Sequence, residues 1–578
     1  MKENNVPGLQ GVIVNNDRMI WEGHLGVKDK NSRQPVTPST LFRVGSITKS
    51  ITALAILRAV QDGKIDLEMN LEQNLPEAGL TNRWSKKNPI RLKHVIEHTA
   101  GLDGIHPRDF SLSDPDLTLQ EAISSNNGSR EARWQPGTRM AYSNMGPGIA
   151  ALALEKVTGV KFEDYVQKEV FDVLGMNSAT FFYDSAVSKS YGPDGNDYPY
   201  VHIGLKPSGA ASLTTSDMAA FVRMFLNRSV TGGENFLPAD LITRMETPTS
   251  TLNAGNGIKA GYGLASFLIQ KDGFVYHGHT GGVDGFLASY AYLPSHNIGY
   301  FFSMNAGKAK AFEEIESAFH KFLTKDLVAG KKQESSPLNP SELQHLTGYY
   351  KPVAPRWKIM GALDLFFNTI SLDVTAKGIA TSSLLQPEPQ NWIHVGNNKF
   401  RLKDDSLPSM MVHIIDDRQY LQTLTATYQK TSLVNILLHW GSAVAVLLVI
   451  FICWIYALFW GVKMLRRRYD SKREVLVRAL PFLTSLLIPF GLFSLVAAMS
   501  DTTTFHLPTK AAFSYWIGSL VFAGMSLVST VYVGMNRTIT PQTGRLAWLH
   551  SLLVSLAMLL TVIYFSQYGF IGLQIWKY

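Results

Sequence analysis

The stretch Phe42-Arg43-Val44-Gly45-Ser46-Ile47-Thr48-Lys49-Ser50-Ile51-Thr52, continuing through Ala, Leu and Ile to Gln61-Asp62-Gly63, decides how the chain is read. Ile47, Ile51 and Leu54 recur at helical spacing, and Gly63 stands where a capping glycine ends a helix. Gly45 lets the backbone turn sharply into that helix. Ser46 and Lys49 are three residues apart, so a helix sets them one turn apart on one face. Backbone N–H groups at a helix N-terminus can hold a developing oxyanion beside the serine. An amine one turn later can take or relay the serine proton once its charge is suppressed. Taken alone, S-x-x-K also fits an N-cap serine followed by an exposed lysine, so its meaning rests on the remaining chain.

The chain has 578 residues, too many for one core, and its 54 basic and 46 acidic residues leave a net charge of +8. The basic residues cluster beside apolar runs rather than in a nucleic-acid-binding pattern, so no nucleic-acid partner is expected. The single cysteine, Cys453, excludes an intrachain disulfide and a cysteine metal site. The N-terminus, Met1 to Gly8, carries no signal-peptide pattern and reads as the tail of a helix whose beginning is missing.

In chain order, Gly11–Val14 and Met19–Trp21 form a hairpin turning at Asn15-Asn16-Asp17. A long, mostly helical stretch follows. It includes Leu92–Leu102, a helix starting near Gly148, and a helix capped by the segment Thr214-Thr215-Ser216-Asp217 and running to Asn227. From Gly261 to Asn305 the pattern is of short strands, with turns at Lys271-Asp272-Gly273 and Pro294–Asn297. A helix from Ala309 to Leu327 closes the unit. This order predicts an α/β (α+β) domain over residues 1–330, an antiparallel sheet flanked by helices with a mostly helical subdomain. Residues 341–430 read as a small β-rich, barrel-like domain, taken as a spacer in preference to a substrate rim.

Four apolar runs follow over residues 433–578: Leu433–Val462, Ala479–Ser500, Ala511–Asn536 and Leu546–Trp576. Each exceeds the roughly 20 apolar residues needed to cross a bilayer as helix. Lys463, Arg466, Arg467, Arg468, Lys472, Arg473 and Arg478 fall between the first two runs, and Arg537 and Arg545 between the last two. Positive loops stay in the cytoplasm, so everything before Leu433 is expected outside it. The lipid bilayer is thus an expected partner.

Two further motifs bear on Ser46. Tyr142-Ser143-Asn144 follows the Trp134–Gly137 turn, and in an extended loop Tyr142 and Asn144 face the same way. A phenol can serve as base where a nearby ammonium favours its anion. His279-Thr280-Gly281-Gly282 ends the strand Phe274–Gly278, and an N–H at Gly282 can complete an oxyanion pair with that of Ser46. His277 and His279 lack a third ligand at suitable spacing, and His94 and His98 read as packing or capping residues. No metal and no cofactor is expected.

The three motifs, in this order, resemble the serine β-lactamase and penicillin-binding-protein superfamily, and Tyr-x-Asn points to its class C β-lactamase-like branch. His98–Leu102, Pro136-Gly137-Thr138, Leu174-Gly175-Met176 and Gly281–Phe286 extend the resemblance over most of residues 6–327. It implies that Ser46 is the acyl-forming nucleophile, that Lys49 and Tyr142 handle its proton, and that Asn144 binds the substrate amide. It implies an oxyanion hole from the N–H groups of Ser46 and Gly282, with His279, Thr280 and Gly281 along the substrate. His279 stands where many β-lactamases carry lysine, which disfavours a lactam carboxylate. The expected function is a membrane-anchored, extracytoplasmic serine hydrolase acting on a small peptide or amide, D-amino-acid-containing ones included, or on an ester. The alternatives are a β-lactam or cell-wall-fragment sensor acylated without turnover, a true β-lactamase, and a transporter with an inert ectodomain.

Overall fold

Two strands at the start of the chain and four from its middle make one sheet. In the computed structural model these are β1 (Gly8–Asn15), β2 (Met19–Gly26), β3 (Phe267–Lys271), β4 (Phe274–Val283), β5 (Phe286–Leu293) and β6 (Ile298–Met304). The structure describes residues 4–104, 106, 117–125, 128–228, 230–231, 234–337, 339–466, 471–500, 504, 507–537 and 544–577. Arg467 and Arg468 of the first basic loop lie outside these residues. The sheet order is β2-β1-β6-β5-β4-β3, antiparallel throughout.

Alternation along the strands assigns each face its own core. Val12, Val14, Tyr290, Tyr292 and Phe301 face one way, onto α1 (Thr48–Gln61), α2 (Met145–Thr158) and α3 (Thr215–Leu226). Leu9, Ile13, Leu293, Tyr300 and Phe302 face the other, onto Phe319 and Leu323 of α4 (Ala309–Thr324). This is the expected β-lactamase-like sandwich. Within the expected capping segment it is Thr214 that caps α3, its side chain accepting from the N–H of Asp217.

Two boundaries differ from expectation. β4 does not stop at Gly278 but continues through the His279–Gly282 motif to Val283, still paired with β5. α2 begins at Met145 rather than near Gly148, and Asn144 is its N-cap with φ −79° and ψ −24°, so the Tyr142–Asn144 segment is not extended at its end.

Residues 348–431 form a closed antiparallel barrel of eight strands, Gly348–Pro352, Ile370–Thr375, Gly378–Ser383, Gln390–His394, Lys399–Leu402, Met410–Ile415, Arg418–Gln422 and Thr427–Thr431. The barrel belongs to the same compact unit as the sandwich, which spans residues 1–356 and 370–430. Asn253 Nδ2 donates to the Gln422 carbonyl at 3.0 Å, its N–H donates to Gln422 Oε1 at 2.8 Å, and Gln422 Nε2 donates to the Thr138 carbonyl at 3.0 Å.

The second unit, residues 357–369 and 431–578, holds four long helices. These are α5 (Leu433–Leu465), α6 (Lys472–Ala498), α7 (Lys510–Met535) and α8 (Arg545–Gln567), each long and apolar enough to cross a membrane. α6 starts earlier than its apolar run and includes Arg478, expected in a loop. Arg478 instead pairs with Glu474 at 3.5 Å, both 5% exposed, and donates to the Tyr456 hydroxyl at 3.0 Å. α8 ends at Gln567, short of the expected Trp576.

Phe302 is fully buried, 5.2 Å from Phe319 and 5.3 Å from Phe312 between ring centroids. Phe302→Ala is expected to destabilise the sandwich by about 3–5 kcal/mol through lost burial and a residual cavity. A lower denaturant midpoint in near-ultraviolet circular dichroism checks this.

Candidate active site

Within residues 41–50 only Ser46 is partly exposed; its neighbours are buried. Gly45–Ile47 make a tight helical turn leading into α1, with Gly45 at φ +52°. The polar residues that follow are all internally bonded. Thr48 Oγ1 donates to the Gly45 carbonyl at 2.6 Å, Ser50 Oγ to that of Ala265 at 2.6 Å, and Thr52 Oγ1 to that of Pro207 at 2.8 Å. A helix so rich in Ser and Thr can therefore be buried nearly all round.

Lys49 is 1% exposed, and its Nζ donates to Ser46 Oγ at 3.0 Å and to the Ser208 carbonyl at 2.6 Å. The same ammonium lies 5.0 Å from the centroid of the Tyr142 ring. Ser208 Oγ donates to the Asn144 carbonyl at 2.5 Å, tying the short helix Lys206–Gly209 that holds Lys49 to the cap of α2. The Asn144 side chain is buried, and its Oδ1 has no partner within the protein. An amide N–H of a ligand would satisfy it.

The close approach of β4 to the Ser46 turn depends on two missing side chains. A Cβ on Gly45 would lie 2.7 Å from the Gly282 nitrogen; one on Gly281 would collide with the Val44 carbonyl and lie 3.1 Å from the Ser46 nitrogen. β3 pairs with β4 only from Phe274 to Gly278, so among the described residues the edge beyond it carries no strand. Thr280 and Gly282 are exposed there, whereas His279 and Gly281 are buried. The backbones of Ser46 and Gly282 thus come together, the arrangement an oxyanion pair requires.

His279 is placed differently from expectation. Its ring is 2% exposed, with Nδ1 2.5 Å from the Thr280 carbonyl and Nε2 3.0 Å from the Tyr262 hydroxyl. A carbonyl only accepts, so Nδ1 carries the proton and the Tyr262 hydroxyl donates to Nε2. Burial, with the nearby Lys49 charge, lowers the imidazole pKa to about 3. Both nitrogens are engaged and the ring is neutral, so His279 holds Tyr262 and the strand rather than offering substrate a free nitrogen. His98 is likewise pushed well below its ordinary value by burial and then Lys49. It lies 4.2 Å from Tyr142 and 4.8 Å from Tyr262 between ring centroids, and its Nδ1 accepts from the Ser143 N–H at 3.3 Å.

Burial pushes the Tyr142 phenol well above its usual value; the Ser46 hydroxyl and then the Arg356 guanidinium pull it partly back. The resting group is therefore a phenol, not the phenolate that a neighbouring ammonium alone would favour. The structure brings together Ser46, Lys49, Tyr142, Asn144 and the Thr280–Gly282 edge as the sequence motifs suggest. Sequence reasoning missed Tyr262, Ser208 and Arg356. The Gly261-Tyr262-Gly263 pattern marks a closely approached tyrosine; Ser208 and Arg356 carry no local signal.

The Beta-lactamase family model matches residues 1–321. Protein flp of Staphylococcus aureus (strain MRSA252) is 23% identical over 235 residues, covering 39% of this chain and 47% of that protein. A beta-lactamase of Providencia stuartii is 26% identical over 192 residues, covering 33% of this chain and 47% of its own. The chain thus spans about half the length of these curated relatives. The octameric penicillin-binding protein homologue from Pyrococcus abyssi superposes with a TM-score of 0.49 at 22% identity, covering 74% of this chain and 97% of its own.

Two outcomes are expected. Gly281→Ala forces β4 off the Val44–Ser46 turn and should cost at least tenfold in the rate of covalent labelling at Ser46, the scale of losing one oxyanion donor. For His279 the folded pKa lies below the unfolded value of 6.5, so the unfolded chain binds the proton first. Its stabilising contribution is present above pH 6.5 and lost as pH falls toward 3. Unfolding midpoints across that range should fall with pH, and less steeply in His279→Gln.

Proposed function

The chain belongs to the beta-lactamase family, and from that membership we propose that it is a serine hydrolase forming an acyl-enzyme on Ser46. The observation that carries this reading is the 3.0 Å approach of the buried Lys49 Nζ to Ser46 Oγ, with Tyr142 beside Lys49. Ser46 Oγ attacks the carbonyl carbon of a small peptide, amide or ester, D-amino-acid-containing substrates included. Its proton passes to the Lys49–Tyr142 pair, and negative charge collects on the carbonyl oxygen between the N–H groups of Ser46 and Gly282.

Collapse of the tetrahedral species breaks the bond to the leaving amine or alcohol, which takes up the proton. Water then attacks the acyl ester through the same pair, releasing the acid and restoring Ser46. To accept a proton, the pair must hold one fewer than an ammonium plus a phenol, so the two groups act as one titrating unit. Asn144 Oδ1 accepts from a substrate amide N–H, and the exposed Thr280–Gly282 edge takes the substrate backbone.

The four apolar helices anchor this hydrolase in a bilayer. Lys463, Arg466, Lys472 and Arg473 are exposed at the end of α5 and the start of α6, as are Arg537 and Arg545 at the end of α7 and the start of α8. Basic ends stay in the cytoplasm, so the chain preceding α5 is extracytoplasmic.

Ser46→Ala is expected to abolish labelling by a fluorophosphonate and to lower hydrolysis by several orders of magnitude. Label retained on the Ser46→Ala protein, located by peptide mass mapping, would overturn the assignment.

A further inference from the structure

The connection between the first two barrel strands, Gly348–Pro352 and Ile370–Thr375, leaves the barrel: its residues 357–369 belong to the compact unit of the four long helices. Within it Gly361–Phe367 is helix, and its seven residues rise only about 10 Å, far too short to cross a bilayer. Gly361 and Ala362, small and buried, let this helix come close to α8, where the Tyr564 hydroxyl donates to the Ala362 carbonyl at 3.3 Å. Phe366 meets Trp440 of α5 edge-on, 5.3 Å apart between ring centroids. Ile359 packs against the cluster of Ala498, Ala512, Tyr515 and Leu573. These contacts lie near the starts of α5 and α7 and the ends of α6 and α8, at the opposite end of the helices from Lys463, Lys472 and Arg545.

The outward side of the segment is apolar. Leu363 and Phe367, four apart on one helix face, are 39% and 40% exposed. Polar groups beside them bond within the segment: Asn368 Nδ2 donates to Asp364 Oδ1 at 2.9 Å, and Thr369 Oγ1 to the Leu365 carbonyl at 2.6 Å. Leu437, one turn before Trp440, and Leu560, one turn before Tyr564, are exposed as well, so the apolar surface runs on from the segment to α5 and α8. Tryptophan and tyrosine at a helix end mark the headgroup level of a bilayer.

We propose that residues 357–369 are an interfacial membrane anchor whose partner is lipid. Leu363 and Phe367 dip about 5–10 Å into the boundary between headgroups and acyl chains, in the leaflet at that end of the helices. This rests on the reading of α5 to α8 as membrane spans. Lipid fits the exposed face better than a protein partner does, because that face is continuous with the surface those spans turn to the acyl chains. The chain passes between the two compact units at 356/357, 369/370 and 430/431, so the barrel is tied to the bilayer through its first connection and not through α5 alone.

The test uses the full chain in phosphatidylcholine vesicles, with Cys453→Ser removing its one cysteine. Leu363→Cys and Phe367→Cys each carry a polarity-sensitive fluorophore, with Leu447→Cys in α5 and Glu388→Cys in the barrel as references for lipid and water. Both segment labels should lose fluorescence in phosphatidylcholine brominated near the glycerol end of its acyl chains and keep it in aqueous iodide. In the unsubstituted chain, a bilayer-soluble diazirine should label the peptide holding residues 357–369. Segment labels quenched by iodide, or by neither agent, or no diazirine adduct in that peptide while α5 is labelled, overturns the anchor. A Leu447 label that brominated lipid does not quench overturns the membrane reading itself, and the anchor with it.

Discussion

The constraint on which the site depends is the contact between two backbones, the Gly45–Ile47 turn and the Gly281–Gly282 part of β4. Neither Gly45 nor Gly281 can carry a Cβ without running into the other segment. The approach makes Ser46 part of both the helix and the sheet edge. In the proposed reaction the turn supplies the nucleophile and one N–H and the strand the facing N–H; the edge beyond Gly278 carries no strand among the described residues because β3 ends there. Pairing of β4 with β5 through Val283 keeps the strand straight at that point. A strand that ended at Gly278 would leave the glycines as a loose loop with no fixed donor.

Around that contact the protein keeps the aromatic and imidazole groups neutral and reserves its positive charge for two side chains. His98, His279 and Tyr262 stack or bond with one another and with Tyr142, and burial holds all of them uncharged. This wall fixes the Tyr142 ring without competing for its proton. In so apolar a setting, the charges of Lys49 and Arg356 are felt more strongly than in water. Tyr142 is then best regarded as one half of a coupled pair with Lys49, because its phenol alone is too weak an acid to rest as an anion.

Much of this was legible in the sequence, for reasons that are local. The hairpin turns at Asn15–Asp17 and Lys271–Gly273, the Thr214 cap and the one-turn spacing of Ser46 and Lys49 each follow from the chemistry of a few adjacent residues. The misreadings arose where distant chain decides. The glycines of β4 signal a strand end when read alone, yet they are what lets the strand continue beside Val44. His279 reads as a cleft residue until Tyr262, seventeen positions earlier, occupies its nitrogen. Arg478 counts as a loop charge until Glu474 and Tyr456 take it into a helix interface. Arg356 lies far from every motif, and only closure of the barrel brings it to Tyr142.

The barrel also bears on how a site with a buried, neutral His279 handles charged ligands. A lysine at that position would sit on the strand and present its ammonium along β4, next to the carbonyl under attack. A neutral imidazole whose two nitrogens serve Thr280 and Tyr262 leaves that place without charge. The Arg356 guanidinium beside Tyr142 instead enters on the loop after the first barrel strand, a loop that Arg133 and Arg139 hold through its carbonyls. Such a cation can change with the barrel while Ser46, Lys49 and the two glycines stay fixed. Ser46 and Lys49 are thereby held by a backbone contact that tolerates no side chain at Gly45 or Gly281, whereas Arg356 reaches Tyr142 from a loop outside that contact.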